Sequence, residues 1–263
     1  MQYSITRSSL CYFAIAFYFV RVLGVLFTPV LALEKHATSV SAECFYQHAS
    51  AAMCATLTGP GQCNYISSRV FVNYSRIDYG NSLFANAPKI WTDKLQRAIN
   101  AAARVISGTR KFDRGLTRLL HDDLHWLDIP QHITFKLCLL VFKCLHEFAP
   151  RYLAELCVPV ADVMGRRNLH SATRGLLNFR RYNMTSYGRR AFSYAGPHAW
   201  KSLQENLRQT TSIELFKRSL KTFIFRHSGR YRAQRIETFL FNGPYKFTYL
   251  LTLFMLCLLE FVL

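Results

Sequence analysis

A chain of 263 residues leaves room for one domain with flanking pieces, and a hydrophobic share of 51% is enough to bury a core. Its 33 Lys and Arg against 15 Asp and Glu give a net charge of +18, which points to a polyanionic partner, either nucleic acid or an acidic membrane surface. The eight cysteines, Cys11, Cys44, Cys54, Cys63, Cys138, Cys144, Cys157 and Cys257, include no CxxC pair. That excludes the usual zinc modules and leaves most of them reading as small buried hydrophobes.

In chain order, residues 10–33 are apolar apart from Arg21 and Thr28, and Arg7 precedes them. The run fits a cleaved leader, with the small residues of Val30-Leu31-Ala32 near its end, and equally an uncleaved anchor with one central arginine. Residues 34–68 are rich in Ala, Ser, Thr and Gly, lack a sustained period, and are expected to be a poorly structured linker. A helix is expected from Thr92 as N-cap to Gly108 as stop, with Leu95, Ala98, Ile99, Ala102 and Ile106 on one face. A second is expected from Pro130 to just before Pro150. Its stripe is Ile133, Leu137, Leu140, Val141, Cys144, Leu145 and Phe148, apolar enough to lie between other helices. Residues 171–182 suggest one or two short strands. Residues 187–203 suggest two short helices either side of a break at Gly196-Pro197. A last helix is expected from Thr211 or Ser212, with Thr211 and Glu214 as a capping box and Ile213, Phe216, Leu220 and Phe223 buried.

Residues 247–263 form a second apolar run, at the lower length limit for a membrane span. Arg226, Arg230, Arg232, Arg235 and Lys246 precede it and by the positive-inside rule stay cytosolic, whereas a cleaved leader would send the same residues to the lumen. The expectation is a mainly α fold: a small helical domain over 69–237 with one short β-hairpin, flanked by two hydrophobic terminal helices. The membrane is then a partner through 10–33 and 247–263. If neither end is a targeting signal, the location is nuclear or cytoplasmic.

Few residue patterns suggest catalysis. Asp122-Asp123 looks like the carboxylate pair of a two-metal polymerase, but it lacks the third ligand and the upstream region such a site needs. His121 and His125 have the spacing of zinc-binding helices without a third ligand, and fit packing beside Trp126 better. No phosphate loop, nucleophile elbow or dinucleotide fingerprint is present, so no cofactor, metal or small-molecule substrate is implied. The informative stretch is basic: residues 151–237 carry 17 Lys and Arg and 5 Asp and Glu, two thirds of the net charge. Within it Arg180, Arg181, Arg189 and Arg190 alternate with Phe179, Tyr182, Tyr187 and Tyr194, and Lys217, Arg218 and Lys221 lie off the apolar stripe of the last helix. Arginines pair with phosphates and aromatic faces stack on unpaired bases, so Arg180, Arg181, Tyr187, Arg189, Arg190, Lys217, Arg218 and Lys221 are the candidate RNA or DNA contacts.

A succession of short motifs runs through the middle of the chain. It begins with Ser75-Arg76-Ile77-Asp78-Tyr79, Asn81-Ser82-Leu83 and Lys94-Leu95-Gln96-Arg97. It continues with Leu124-His125-Trp126-Leu127, Phe135-Lys136, Lys143-Cys144-Leu145-His146, Ala149-Pro150 and Tyr152-Leu153. It ends with Tyr187-Gly188-Arg189-Arg190-Ala191-Phe192, Gly196-Pro197, Ala199-Trp200, Asn206-Leu207-Arg208 and Phe216-Lys217. In order and spacing this resembles the region after the polymerase domain of non-LTR, jockey-like retrotransposon reverse transcriptases, over about residues 69–225. The resemblance implies a segment that holds template RNA and target DNA, downstream of the catalytic aspartates, and transfers no catalytic residue. Gly80, Glu147-Phe148, Lys201 and Gln204 depart from the usual pattern. The implied reading is a non-catalytic remnant of such an enzyme.

Overall fold

A computed structural model describes residues 20–28, 31–58, 74–167, 170–179 and 188–227. Over these residues the fold is mainly helical, with one two-stranded antiparallel hairpin. The hairpin is β1 (Val20–Val22) and β2 (Val25–Phe27). The longer helices are α1 (Glu34–Thr58), α2 (Lys89–Ser107), α3 (Ile129–Leu145), α4 (Phe192–Lys201) and α5 (Ile213–His227), joined by short helical turns.

The most apolar helix is the centre. Asp128 caps α3, Gln131 reaches back to the Asp128 N–H at 3.3 Å, and Pro130 sits in the first turn. Ile133, Leu137, Leu140, Val141 and Cys144 are buried as expected, with Ile129, His132, Cys138 and Phe142 beside them. Phe142 stacks on Phe216 of α5 at 4.3 Å, and Phe216 lies 5.7 Å from the Trp200 ring of α4. Three helices therefore meet on one aromatic cluster. Cys44, Cys138, Cys144 and Cys157 are buried in this interior, as small hydrophobes would be.

Helix α3 closes on a residue in the left-handed conformation. Glu147 has φ +60°, and the Phe148 N–H bonds the Lys143 carbonyl at 2.9 Å. This is the closing turn in which glycine is favoured, because a Cβ strains the left-handed conformation. Glu147→Gly is expected to raise stability by about 1 kcal/mol. An unchanged or lower urea midpoint would count against the strain.

Four expectations are corrected. Residues 34–58 are no unstructured linker: α1 occupies Glu34–Thr58 and makes the most extensive helix–helix contact among the described residues, with α2; residues 59–68 lie outside those described. Its buried stripe is Ala37, Ser41, Cys44, His48 and Ala51, which has helical spacing but little hydropathy. Second, α2 starts at Lys89, before Thr92. Thr92 is buried and its hydroxyl donates to the Lys89 carbonyl at 2.9 Å instead of capping the helix; Gly108, with φ +67°, does end it. Third, Gly196-Pro197 does not split α4. Gly196 is where α4 approaches α3: a Cβ there would come within 3.1 Å of Val141 and 2.9 Å of Phe192. Fourth, the hairpin is not at 171–182, where residues 170–173 are helical and one bridge pairs Pro159 with Leu177. Residues beyond 179 in that stretch are outside those described.

The hairpin at 20–27 also corrects the reading of residues 10–33 as a membrane helix. Leu23 and Gly24 both have positive φ and form the two-residue turn that such hairpins favour. Val25 and Leu33 are fully buried in the core, and Arg21 faces solvent opposite Leu26. The Tyr79 hydroxyl donates to the Leu23 carbonyl, and the Leu26 N–H reaches His36 Nδ1 at 3.4 Å. Among the described residues no helix is long and apolar enough to cross a membrane. The expected C-terminal apolar helix, 247–263, lies outside them, as do residues 1–19 of the leader.

His36 is an acid-sensitive part of this packing. It stacks on Phe84, and burial, followed by the charge of Arg21, pushes its pKa down to about 4. Burial lowers His48 in the same direction. A depressed imidazole contributes stability that is complete above its unfolded value near 6.5 and is lost as pH falls toward the folded value. His36 alone is therefore expected to remove about 3 kcal/mol between pH 7 and pH 4, at ~1.4 kcal/mol per unit. A His36→Gln chain should lose less over that interval, and identical pH profiles of the urea midpoint would refute this.

Candidate nucleic-acid interface

The basic region after α3 is built around Trp200. The Trp200 indole N–H donates to the Gly175 carbonyl at 3.0 Å, which ties residues 174–179 to α4. The Val160 N–H reaches Leu176 O at 2.9 Å and the Asn178 N–H reaches Val158 O at 2.8 Å, so the same segment is pinned from its other side. Leu177 is buried between these bonds, and the residues at either end of the segment, Arg174 and Phe179, are exposed.

Around Phe179 one ammonium group and three rings follow one another. Lys201 Nζ lies 5.7 Å above the Phe179 ring; Phe179 meets Tyr194 edge to face at 6.1 Å; Tyr194 stacks with His198 at 5.8 Å. Phe179 is 37% exposed, and His198 and Lys201 face solvent. On the other side of the segment Arg208 Nε donates to the Arg174 carbonyl at 2.9 Å, and a second nitrogen of Arg208 reaches the Leu203 carbonyl. Burial lowers the Arg208 pKa and the nearby Arg174 charge adds to it. Arg166 Nη1 donates to the Asn178 side chain at 3.1 Å. Three arginines and a lysine thus surround one short pinned segment with an aromatic strip at its end.

The residues expected from sequence divide unevenly. Arg180, Arg181 and Tyr187 lie outside the described residues. Arg189 is exposed, and its carbonyl accepts from Asn86 at 2.7 Å. Arg190 is a correction. It is 3% exposed, donates to the carbonyls of Leu31 at 3.2 Å and Leu83 at 3.4 Å, and packs 5.6 Å from the Trp91 ring. It joins the N-terminal segment to the core and is not presented to a ligand. On α5, Arg218 is exposed; Lys217 pairs with Glu214 at 3.1 Å; Lys221 lies over Phe225 at 5.9 Å with its pKa lowered by burial. Burial, and then the charge of Lys217, push Lys143 of α3 down to about 8.

Sequence reasoning missed Arg166, Arg174, Lys201 and Arg208 as individual contacts. Lys201 ends α4 and the three arginines sit in short turns without periodicity, so only the charge count over 151–237 contained them. It also missed a buried charge cluster. Asp78 Oδ2 is 2.7 Å from Lys136 Nζ and Oδ1 is 3.0 Å from His132 Nε2, while Asn81 Nδ2 approaches His132 Nδ1 at 3.4 Å. Its side chains are 5%, 15% and 7% exposed for Asp78, Lys136 and His132, so no substrate reaches them. The cluster holds the turn before Asn81–Phe84 against α3.

Asp122 and Asp123 are both exposed, on a π-helical turn, and Asp122 pairs with Arg118 at 3.7 Å. His121 is buried, with Nδ1 2.8 Å from the Trp126 carbonyl. Among the described residues no three His, Cys, Asp or Glu side chains gather as a metal site.

Compared with known families, curated proteins and solved structures, the chain matches none. The case for relationship therefore rests on the motif succession. Many of its residues are interior: Ile77, Asp78, Asn81, Ser82, Leu83, Leu95, Leu127, Leu153, Arg190, Phe192, Trp200, Leu207 and Phe216 are all buried. Motifs of this kind carry a fold more than a chemistry.

Proposed function

We propose that the chain is a non-catalytic, retroelement-derived module that binds single-stranded RNA or DNA without sequence preference. The carrying observation is the strip Lys201, Phe179, Tyr194 and His198 at the end of a pinned segment flanked by Arg166, Arg174 and Arg208. Cations that follow a phosphate backbone beside exposed rings that accept any base are what non-specific single-strand binding requires. The buried motif residues support descent from a common scaffold. The exposure of Asp122 and Asp123 beside Arg118 supports the absence of catalysis.

The test is fluorescence anisotropy of the full chain with a labelled single-stranded RNA across a salt series. Log affinity is expected to fall linearly with log salt, with a slope of about −0.7 for each phosphate contacted. Phe179→Ala with Lys201→Ala should weaken binding by about tenfold, at an unchanged melting temperature. No binding at low salt sinks the reading. Primer extension on a primed RNA template should yield no product, and nucleotide incorporation would overturn the non-catalytic assignment.

A further inference from the structure

Between α2 and the π-helical turn lies a loop that the basic region above does not include. Residues 108–118 contain Arg110, Lys111, Arg114 and Arg118 against one acid, Asp113. The loop is bounded by two left-handed glycines, Gly108 with φ +67° and Gly115 with φ +96°, each facing open space. The Asp113 carboxylate accepts the Arg110 backbone N–H at 2.8 Å and so closes the tip. Phe112 stands on that tip 88% exposed, with Lys111 Nζ 5.5 Å from its ring. Arg110, Lys111 and Arg114 are exposed, and among the described residues none pairs with a carboxylate.

We infer that this loop is a second contact for single-stranded nucleic acid, in which Phe112 stacks on an unpaired base and Arg110, Lys111 and Arg114 hold the flanking phosphates. The inference rests on the nucleic-acid reading above and places it on a surface that reading does not use. A fully exposed phenylalanine gains nothing from its own fold, so its burial is available to a ligand. A single ring among Gly, Thr and charged residues is not the contiguous apolar patch that a protein partner takes. It also offers a bilayer too little apolar area for interfacial binding. A base needs only one flat face, and the adjacent cations supply the phosphate term.

The experiment uses the full chain, a single-stranded oligouridylate, an RNA duplex of equal length, and vesicles of mixed neutral and anionic lipid. Phe112→Trp adds an indole at the tip to Trp91, Trp126 and Trp200. Its extra fluorescence should be quenched along the same isotherm as the anisotropy, more strongly by oligouridylate than by duplex. Phe112→Ala should bind about tenfold more weakly, with no change in melting temperature. Arg110→Ala with Lys111→Ala should lower the salt slope by about 1.4, two phosphate contacts. Unchanged affinity and slope with a silent Phe112→Trp would overturn the loop contact and leave the first surface standing. Quenching by anionic vesicles but not by oligouridylate would assign the loop to a lipid surface and overturn it too. No binding by the wild-type chain would remove both.

Discussion

Replacing Asp78 with alanine is expected to cost about 3–5 kcal/mol of stability, the penalty for leaving a buried charge without its partner. Lys136 Nζ lies 2.7 Å from Asp78 Oδ2 and also donates to the Asp78 carbonyl. Burial pushes the Lys136 pKa down, with Asp78 as its counterweight. Removing the carboxylate strands the ammonium and takes the partner from His132 Nε2, whose ring stacks on Tyr74. The second variant decides the cause. Asp78→Ala with Lys136→Met removes both charges and should recover most of the loss, because a buried pair exchanged for apolar groups is often neutral. A double variant as unstable as the single one would mean that packing, and not the stranded charge, carries the effect.

The same pair shapes the response to acid. Burial pushes the Asp78 carboxyl up, but the charges of His132 and Lys136 and their hydrogen bonds outweigh it and hold it below the usual carboxylate range. A depressed carboxylate contributes stability that is present above the unfolded value near 4 and lost as pH falls through the folded one. The Asp78 contribution therefore disappears at more acidic pH than that of His36, which is spent by about pH 4.

The sequence made some of this architecture legible, for identifiable reasons. The helix Ile129–Leu145 was readable because its stripe is made of Leu, Ile, Val and Phe, flanked by Asp128 and Pro130. The helix Glu34–Thr58 was not, because Ala37, Ser41, Cys44 and His48 repeat with the right period but weigh little on any hydropathy count. The hairpin was hidden inside a longer apolar run, although Gly24, between Leu23 and Val25, was a turn signal. Arg189 and Arg190 are adjacent and chemically identical, and only tertiary contacts tell the exposed one from the buried one. Asp78 finds His132 and Lys136 more than fifty residues away, and no spacing rule links them. Of the proposed interface, the basic excess was visible and the pinned segment was not, because Trp200–Gly175 is a long-range bond.

Deleting residues 1–58 is expected to abolish cooperative folding of the remainder, a larger effect than any single substitution. The deleted part takes its own ordering cost with it, so what matters is the surface uncovered on the part that stays. Phe84 loses His36 from its face, Arg190 loses the Leu31 carbonyl inside the protein, and α2 loses its largest helix contact. Ile77, Leu83, Phe84, Leu95 and Ala98 belong to the same core as Val25, Phe27, Leu33, Ala37 and Cys44. Re-exposing even three large apolar side chains costs about 5–9 kcal/mol at ~1.5–3 each, which rivals the whole stability of a domain. Arg190 keeps the Leu83 carbonyl but loses one acceptor inside the protein, which adds a smaller cost. The shortened chain should lose the sigmoidal urea transition and bind a dye for exposed apolar surface. A sharp transition at the wild-type midpoint would instead mean that residues 69–237 form an independent domain and that the N-terminal hairpin and helix merely rest on it.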